Sequence, residues 1–367
     1  MKHTALSLLL LASISILSCG RPAYKLAVGT FGDNIHEVSF DGRSFVPLAT
    51  LPMKDPSYLA IGEDGELLCP SHLGKGAYFC AFRNGKQICR TDSLGLGPAH
   101  IWHVAGTPLN VVSEYRGGSI SVVRCEGSDC RRVQFLRYEG KGADPKRQKS
   151  THVHQAKEIP AAICTAAGIH GRWILAADLG LDRIHVLELT PDEDAPLQDR
   201  PELEIPCGPA SGPRHMEFNP ATGTLYALTE LSNELIAWKI SANSEGWPLF
   251  SEIQRFTVPG AGFQGGGDIH LSPDGRTIYT SHRCGNDGIA RFALSADGSF
   301  RFLDYVNTAE HPRNFCITAD GKWLLAACKN DRCIEVFKRS PRSGRLRKTG
   351  VRMDFATDEP VCLLLIP

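Results

Sequence analysis

Short apolar segments separated by turn residues recur along the chain in a regular order. Each copy has Pro or Asp near a His or another polar residue, and then strand, turn, strand, turn and strand. The copies begin at Pro56, Pro98, His152, Pro213, Asp268 and Pro312. A spacing of roughly 40–60 residues between such copies is typical of the blades of a β-propeller.

The two ends of the chain complement each other. Residues 360–365 have the pattern of the first strand of a blade, whereas residues 26–30 and 35–38 have the pattern of the strands that follow it. A blade built from both ends would close the ring and bury two exposed sheet edges. The sequence therefore predicts an all-β fold, a seven-bladed β-propeller over residues 26–367 closed by a blade built from both termini. A solenoid, the competing repeat architecture, would not need complementary ends.

The first residues predict an export signal. Lys2 and His3 precede an apolar run at residues 5–17, which suits a signal peptide and is too short to span a membrane comfortably. The segment Ile16-Leu17-Ser18-Cys19-Gly20 resembles a bacterial lipobox. We therefore expect residues 1–18 to be a lipoprotein signal peptide, Cys19 to be lipidated, and residues 19–25 to form a short tether.

The signal peptide and the lipobox-like segment predict an exported bacterial lipoprotein, periplasmic or outer-membrane-anchored, that touches the membrane through its lipid anchor only. A cleaved signal followed by an incidental cysteine is the alternative. The charges favour no other membrane or nucleic-acid contact, because 40 Lys and Arg balance 40 Asp and Glu. We expect no nucleic-acid partner.

Thirteen cysteines leave an even number after Cys19, and an oxidising compartment would allow disulfides. Candidate pairs across turns are Cys125–Cys130, which is the best local pair, Cys69–Cys80 and Cys316–Cys328. The alternative is that many of these thiols are small buried apolar groups inside strands. The sequence has no Cys-x-x-Cys pair, so it gives no support to a zinc or redox motif.

Several segments, in their order and spacing, resemble the bacterial lactonase family, the 6-phosphogluconolactonase-like propellers. They are 97–100 (GPAH), 114–119 (EYRGGS), 152–154 (HVH), 178–183 (DLGLDR), 212–216 (GPRHM), 229–234 (TELSNE) and 268–275 (DIHLSPDG). The resemblance implies a seven-bladed propeller. It also implies lactone chemistry, because the family includes 6-phosphogluconolactonase-type hydrolases and fungal carboxy-muconate lactonising enzymes.

In the muconate branch the active residues are a His, an Arg, a Glu and a second Arg. The matching motifs imply catalytic roles for His154, with His152 as the less favoured choice, and for Arg214, Glu230 and Arg283. The neighbours depart from the family pattern. Thr229 and His282 each replace an Asn, and Cys284 follows Arg283. These changes affect the expected shape of the substrate.

The residues themselves point to an anionic ligand. Arg214 and Arg283 come from different blades, and two buried cations without a ligand would repel each other. Glu230 follows an apolar strand and is either a general base or an ion-pair partner of Arg214, while His154 is the alternative base. The choice between Glu230 and His154 stays open at this point.

Four further histidines are candidate substrate-binding residues, with structural histidines bonded to backbone carbonyls as the alternative. They are His100, His152, His215 and His270. His152 and His154 have the spacing of a metal pair on a strand, but no third ligand is marked, and we predict no metal and no cofactor. The basic segment 141–149 is interpreted as a solvated loop that could overhang the pocket.

The first functional hypothesis is a lactone hydrolase that acts on a small-molecule sugar lactone or a related anionic cyclic ester. Without a Gly-x-Ser-x-Gly elbow, the expected reaction is direct attack by water. Two alternatives stay open. One is a non-catalytic exported propeller that binds a carbohydrate or protein ligand, and the other is a muconate-type lactonising isomerase.

Overall fold

Seven antiparallel sheets form a closed propeller in the computed structural model, which describes residues 23–92, 94–262 and 264–366. The predicted signal peptide at 1–18, the candidate lipidation site Cys19 and residues 20–22 of the predicted tether lie outside the described residues. The inner strands of neighbouring blades contact one another around the axis. The predicted all-β, seven-bladed fold is confirmed.

The strands of each blade are given from the axis outward. Blade 1 comprises Glu359–Ile366, Tyr24–Phe31, Asn34–Phe40 and Phe45–Pro52; blade 2, Ala60–Ile61, Leu67–Pro70, Phe79–Arg83 and Lys86–Thr91; blade 3, Pro98–His103, Leu109–Glu114, Ser119–Glu126 and Asp129–Arg137; blade 4, Val153–Glu158, Arg172–Asp178, Arg183–Leu189 and Leu197–Asp199, with Ile205–Pro206 also pairing with its third strand. Blade 5 comprises Pro213–Asn219, Thr224–Thr229, Glu234–Ala242 and Pro248–Thr257; blade 6, Gly266–Leu271, Thr277–His282, Gly288–Leu294 and Phe300–Asn307; blade 7, Pro312–Ile317, Trp323–Cys328, Cys333–Arg339 and Leu346–Asp354.

Blade 1 joins the two ends of the chain, as the sequence predicts. The C-terminal strand is its inner strand and pairs antiparallel with the first strand, with Leu26 opposite Leu365 and Val28 opposite Leu363. Leu26 and Val28 are fully buried, so the closure adds apolar contacts to the backbone ladder. Burying an aliphatic side chain stabilises the fold by about 1.5–3 kcal/mol.

The core lies between the faces of adjacent blades. Between blades 4 and 5, Trp173 and Val186 of one blade share a buried cluster with Phe218 and Trp238 of the other. The helix Ala161–Ala167 covers this cluster through the buried Ile163. The 3-10 turn Pro201–Leu203 follows the outer strand of blade 4. Within the described ranges, no helix has both the length and the apolar character needed to cross a membrane.

Most of the inner strands contain a β-bulge near the propeller axis. In blades 4, 5 and 7 the register with the second strand shifts by one residue, which leaves His154, Arg214 and Arg313 as the extra residues of β-bulges. A bulge redirects a side chain that regular alternation would turn the other way. Similar shifts occur in the inner strands of blades 1, 3 and 6. The bulges thus let three chemically active side chains occupy the same blade position.

The disulfide differs from the predicted pairs. Cys130 is bonded to Cys89, which belongs to the outer strand of blade 2, and this bond joins blades 2 and 3. Cys125 lies opposite Cys130 in the strand register but is a free thiol, so the predicted Cys125–Cys130 pair is wrong. The sequence cannot reveal this partner, because the two cysteines meet only through the packing of adjacent blades.

The other two predicted disulfides are also wrong. Cys69 and Cys80 do face each other across neighbouring strands, but both are free. Cys316 lies opposite Leu325 rather than Cys328, and Cys328 lies opposite Cys333. All four predicted partners are buried free thiols, in agreement with the alternative of small apolar groups inside strands.

Candidate active site

Glu230 is the centre of a cluster of arginines near the propeller axis. It follows the second strand of blade 5, where its N–H donates to Gly212 O at 2.7 Å and its own carbonyl accepts from the N–H of Gly265 at 2.7 Å. These two backbone hydrogen bonds tie the residue to the segments that precede the inner strands of blades 5 and 6. The carboxylate is therefore held on a rigid support.

Three arginines bind the Glu230 carboxylate. Oε2 accepts from Nε of Arg214 at 3.0 Å and from Nη2 of Arg283 at 2.9 Å, while Oε1 accepts from Nη2 of Arg147 at 2.5 Å. Burial alone would raise the pKa of Glu230, but Arg283, Arg214 and Arg147 together hold it far below its ordinary value. Glu230 is consequently ionised throughout the neutral range.

Backbone carbonyls of the segment before and at the start of blade 6 complete the coordination of two of these arginines. Arg214 donates through Nη1 to Gly267 O at 2.5 Å, and Arg283 donates through Nη2 to Gly266 O at 2.8 Å. A Cβ on Gly266 would lie 2.1 Å from Thr229 O, so a side chain there would push apart the segments that hold the cluster. Burial and the neighbouring Arg283 lower the pKa of Arg214 to about 9.

Arg313 is a fourth arginine that the sequence reasoning missed. It is half-buried, and it neither donates a hydrogen bond nor forms an ion pair within the part of the chain that the structure describes; its guanidinium carbon lies 5.1 Å from the centre of the Phe31 ring. Burial and the charge of Arg283 lower its pKa to about 10. The pair Pro312-Arg313 at the start of a repeat, matching Pro213-Arg214, was the signal that could have identified it.

Arg147 is the other arginine that the sequence reasoning did not single out. It belongs to the basic segment 141–149, and besides Glu230 it donates to the hydroxyl of Tyr115 at 3.3 Å. The interpretation of this segment as a solvated loop was incomplete, because it brings one guanidinium onto the Glu230 carboxylate. The loop thus overhangs the arginine cluster.

His154 lies beside the arginines and is free of hydrogen bonds to the described residues. It is 3% exposed, its Nδ1 is buried without a partner, and its ring centre is 5.0 Å from that of His215 and 5.5 Å from that of Tyr115. Burial and the charge of Arg214 hold its pKa well below the ordinary value for histidine. His154 is therefore a neutral imidazole with an unused nitrogen.

His152 has a different environment from His154. Its ring stacks on Tyr115 at 4.5 Å between centres, and its Nδ1 lies 2.8 Å from Tyr115 O. Within the described ranges, no third side chain joins His152 and His154 with the spacing of a metal site. Among the described residues, the His, Cys, Asp and Glu side chains that come together with metal-like spacing are Cys89, Cys125 and Cys130, two of which form the disulfide.

A second layer of axial side chains lies one residue further along the inner strands. His100 and His215 belong to it, with ring centres 5.9 Å apart. Gln155 connects His100 to the strand of His215, because its Nε2 lies 3.3 Å from Nε2 of His100 and its Oε1 accepts the N–H of Met216 at 2.6 Å. His270 lies two residues beyond this layer and contacts Asp268. The structure thus places His100 and His215 next to the cluster and His270 further from it.

The site carries a surplus of positive charge. Four arginines surround one carboxylate, and the nearest further acid, Asp268, is occupied by two histidines. The four residues implied by the family resemblance, His154, Arg214, Glu230 and Arg283, do meet in one region. An anion would balance the surplus and would find guanidinium groups with donors arranged for oxygen ligands.

Comparisons with known proteins agree with this architecture. The sequence model of the family described as "Lactonase, 7-bladed beta-propeller" matches residues 25–365. A 6-phosphogluconolactonase of Bacillus subtilis is 27% identical over 331 residues, which cover 86% of this chain and 89% of that protein. A 6-phosphogluconolactonase of Formosa agariphila is 27% identical over 268 residues, 72% of each chain. The solved structure of the periplasmic gluconolactonase PpgL of Pseudomonas aeruginosa is 27% identical, with a TM-score of 0.81 over 94% of this chain and 100% of that one.

Proposed function

Because the chain belongs to the lactonase family of seven-bladed β-propellers, we propose that it is an enzyme that hydrolyses a lactone bearing an anionic group. Relatives named 6-phosphogluconolactonase and gluconolactonase support the lactone as substrate. The evidence for an anionic group on the substrate is the arginine cluster, in which Arg313 has no acidic partner among the described residues. The ligand is a small molecule derived from a sugar.

Arg313 and Arg214 are the anchors for the anion. They occupy the same bulge position in the inner strands of blades 5 and 7, and both have a lowered pKa because burial disfavours the charged form. A carboxylate or phosphate on the substrate would relieve this cost and accept two parallel N–H donors from a guanidinium. The anchor would fix the lactone ring relative to His154.

His154 is the base in this proposal, and Glu230 is the ion-pair centre. Three charge-assisted hydrogen bonds occupy the carboxylate of Glu230, whereas the imidazole of His154 is neutral and makes no hydrogen bond to the described residues, so it has a nitrogen left to accept a proton. Of the two candidate bases that the sequence left open, the proposal therefore takes His154.

The reaction then has two steps. Water attacks the lactone carbonyl carbon and gives one proton to His154, and the carbonyl oxygen becomes an oxyanion that an arginine N–H stabilises. The oxyanion then reforms the carbonyl, the bond between this carbon and the ring oxygen breaks, and His154 returns the proton to the departing alkoxide. The product is the open hydroxy acid, and the histidine ends in its starting state.

The same proposal includes the cellular location. The lipobox-like segment ending at Cys19 and the likeness to a periplasmic gluconolactonase support an exported lipoprotein. An exported enzyme would meet a lactone outside the cytoplasm, which favours a carboxylated sugar lactone over a phosphorylated metabolite of the cytosol. Labelled palmitate that attaches to the wild-type chain and not to Cys19→Ala tests this part. Equal labelling of both chains would contradict it.

A lactone panel tests the enzyme. The purified protein is given neutral, carboxylated and phosphorylated sugar lactones, and acid release is followed by pH indicator. We expect turnover of at least one anionic lactone, and loss of that turnover in Arg214→Ala. The matched control is Arg200→Ala, because Arg200 is an ion-paired arginine of the outer part of blade 4, bound to Glu188.

The alternatives give different results in the same experiment. Binding of a glycan without turnover of any lactone would favour a non-catalytic binding propeller. Ring closure of a carboxylated diene without lactone hydrolysis would favour a lactonising isomerase. Rates equal to the buffer background for wild type and both variants would contradict the enzymatic proposal.

A further inference from the structure

Asp268 is a buried carboxylate that joins two histidines from different blades. It is 1% exposed; Oδ1 lies 2.6 Å from Nδ1 of His215 in blade 5, and Oδ2 lies 2.8 Å from Nε2 of His270 in blade 6. Asn314 of blade 7 donates through Nδ2 to Oδ2 at 2.5 Å. Three inner strands therefore converge on this one carboxylate.

The contact with Asp268 decides which nitrogen of His215 carries the proton. An ionised carboxylate only accepts hydrogen bonds, so Nδ1 of His215 is the donor and Nε2 keeps its lone pair. Nε2 lies 3.3 Å from Nη1 of Arg214, which also donates to Gly267 O. A neutral His215 thus accepts a hydrogen bond from Nη1 of Arg214, while Nε of the same guanidinium binds Glu230.

His270 balances the charge of Asp268 from the side away from the arginines. Its side chain is 31% exposed, and Nδ1 lies 3.8 Å from Oε2 of Glu217, whose Oε1 binds Nζ of Lys157 at 2.8 Å. Asp268 and Glu217 outweigh burial and raise the pKa of His270. The positive charge that His270 gains on protonation gives the buried carboxylate a partner, which an isolated buried charge requires.

We propose that Asp268 and His270 are positioning residues for Arg214: Asp268 keeps the single proton of His215 on Nδ1, so that Nε2 fixes the guanidinium that binds the substrate anion, and His270 offsets the charge with which Asp268 favours a second proton on His215. This inference rests on the proposed function. Neither residue touches the substrate. The acid Asp268 acts through His215, and His270 acts through Asp268.

Protonation of His215 would reverse this arrangement. A cationic His215 loses the acceptor on Nε2 and repels Arg214, and in the wild-type chain burial and Arg214 lower its pKa to about 4. The groups that face His215 are Arg214, Asp268, His154, His100 and Tyr58. The groups that face His270 are Asp268, Glu217 and Lys157.

The decisive variant is His270→Gln. Glutamine keeps a donor for Asp268 and removes the positive charge, so the carboxylate then draws a proton onto His215. We expect the acid limb of the profile of kcat/KM against pH to move upward by about one pH unit or more.

Asp268→Asn tests the tautomer. We expect KM for the anionic lactone to rise on the order of tenfold, with a smaller change in kcat, because Arg214 binds the anion less well once His215 is no longer held. The matched control is His103→Gln. His103 ends the inner strand of blade 3 and also pairs with an acid, Glu63 at 3.0 Å, but it has no contact with Arg214.

A readout that needs no substrate keeps this inference separate from the proposed function. ¹⁵N NMR of the imidazoles should find His215 protonated on Nδ1 alone in the wild type, and should find its titration moved upward in His270→Gln and unmoved in His103→Gln. If no lactone is turned over, the enzymatic proposal fails. The NMR result still tests whether Asp268 and His270 control the protonation of His215. A His215 protonated on Nε2, or an unchanged titration in His270→Gln, would overturn the inference.

Discussion

Arg214 and Arg313 occupy the same bulge position in the inner strands of blades 5 and 7, but their partners differ. Arg214 donates to Glu230 at 3.0 Å, whereas Arg313 faces the Phe31 ring and meets no acid in the described residues. Arg214 is thus tied to the ion-pair network through Nε, and only part of its guanidinium is left for an anionic ligand. The charge of Arg313 has no such partner in the described part of the chain.

Arg313→Ala is therefore expected to act on substrate binding. KM for an anionic lactone should rise about 10- to 100-fold, the range expected for the loss of a charge-assisted contact, while kcat changes little. Turnover of a neutral lactone should be unaffected. Steady-state kinetics on the two lactones measures this difference, and an equal loss on both would contradict the role of Arg313 as an anion anchor.

His154→Gln is expected to remove the base. We expect kcat to fall by on the order of 10²–10⁴ with KM nearly unchanged, because the side chain accepts a proton in the transition state rather than binding the substrate in the ground state. Stopped-flow measurement of acid release gives both constants. A fall confined to KM would instead assign His154 to substrate binding.

Glu230→Gln is expected to destabilise the fold as well as the site. Without the carboxylate, Arg214, Arg283 and Arg147 lose their common counter-charge, and removal of one partner from a buried pair costs about 3–5 kcal/mol. Denaturant unfolding of wild type and variant measures this difference. Equal free energies of unfolding would contradict this prediction, because they would show that other groups balance the charge of the arginines.

The stability of the protein should fall in acid because of the same carboxylate. The folded pKa of Glu230 is lower than its unfolded value of 4.5, so its stabilisation is fully present above pH 4.5 and is lost as the pH falls below it. In Glu230→Gln this part of the pH dependence should disappear. Thermal unfolding between pH 7 and pH 3 measures both slopes, and parallel slopes would contradict the expectation.

His185 should have the opposite pH dependence. It is 1% exposed between Glu204 at 2.7 Å and Asp178 at 3.2 Å, and these acids outweigh burial and raise its pKa to about 9. Its stabilisation, on the order of 3 kcal/mol, is present below pH 6.5 and is lost as the pH rises toward 9. His185→Gln should abolish this alkaline loss in thermal unfolding. An unchanged alkaline slope would refute the assignment.

The sequence by itself determined the ring and part of the site. Alternating apolar strands, turn residues and complementary ends predict the seven blades, since each blade can bury its faces only against neighbours and the first and last need each other. The same sequence pointed to His154, Arg214, Glu230 and Arg283, because the motifs that contain them resemble those of the lactonase family.

Only the tertiary structure determined which residues pair with one another. Arg313 became recognisable as a site residue because a bulge turns it toward the axis beside residues of other blades, and Cys89 meets Cys130 because blades 2 and 3 pack together. The role of Asp268 depends on three inner strands converging at one point. Local patterns encode strands and turns, whereas the choice of ion pair, disulfide and tautomer depends on distances between segments far apart in the chain.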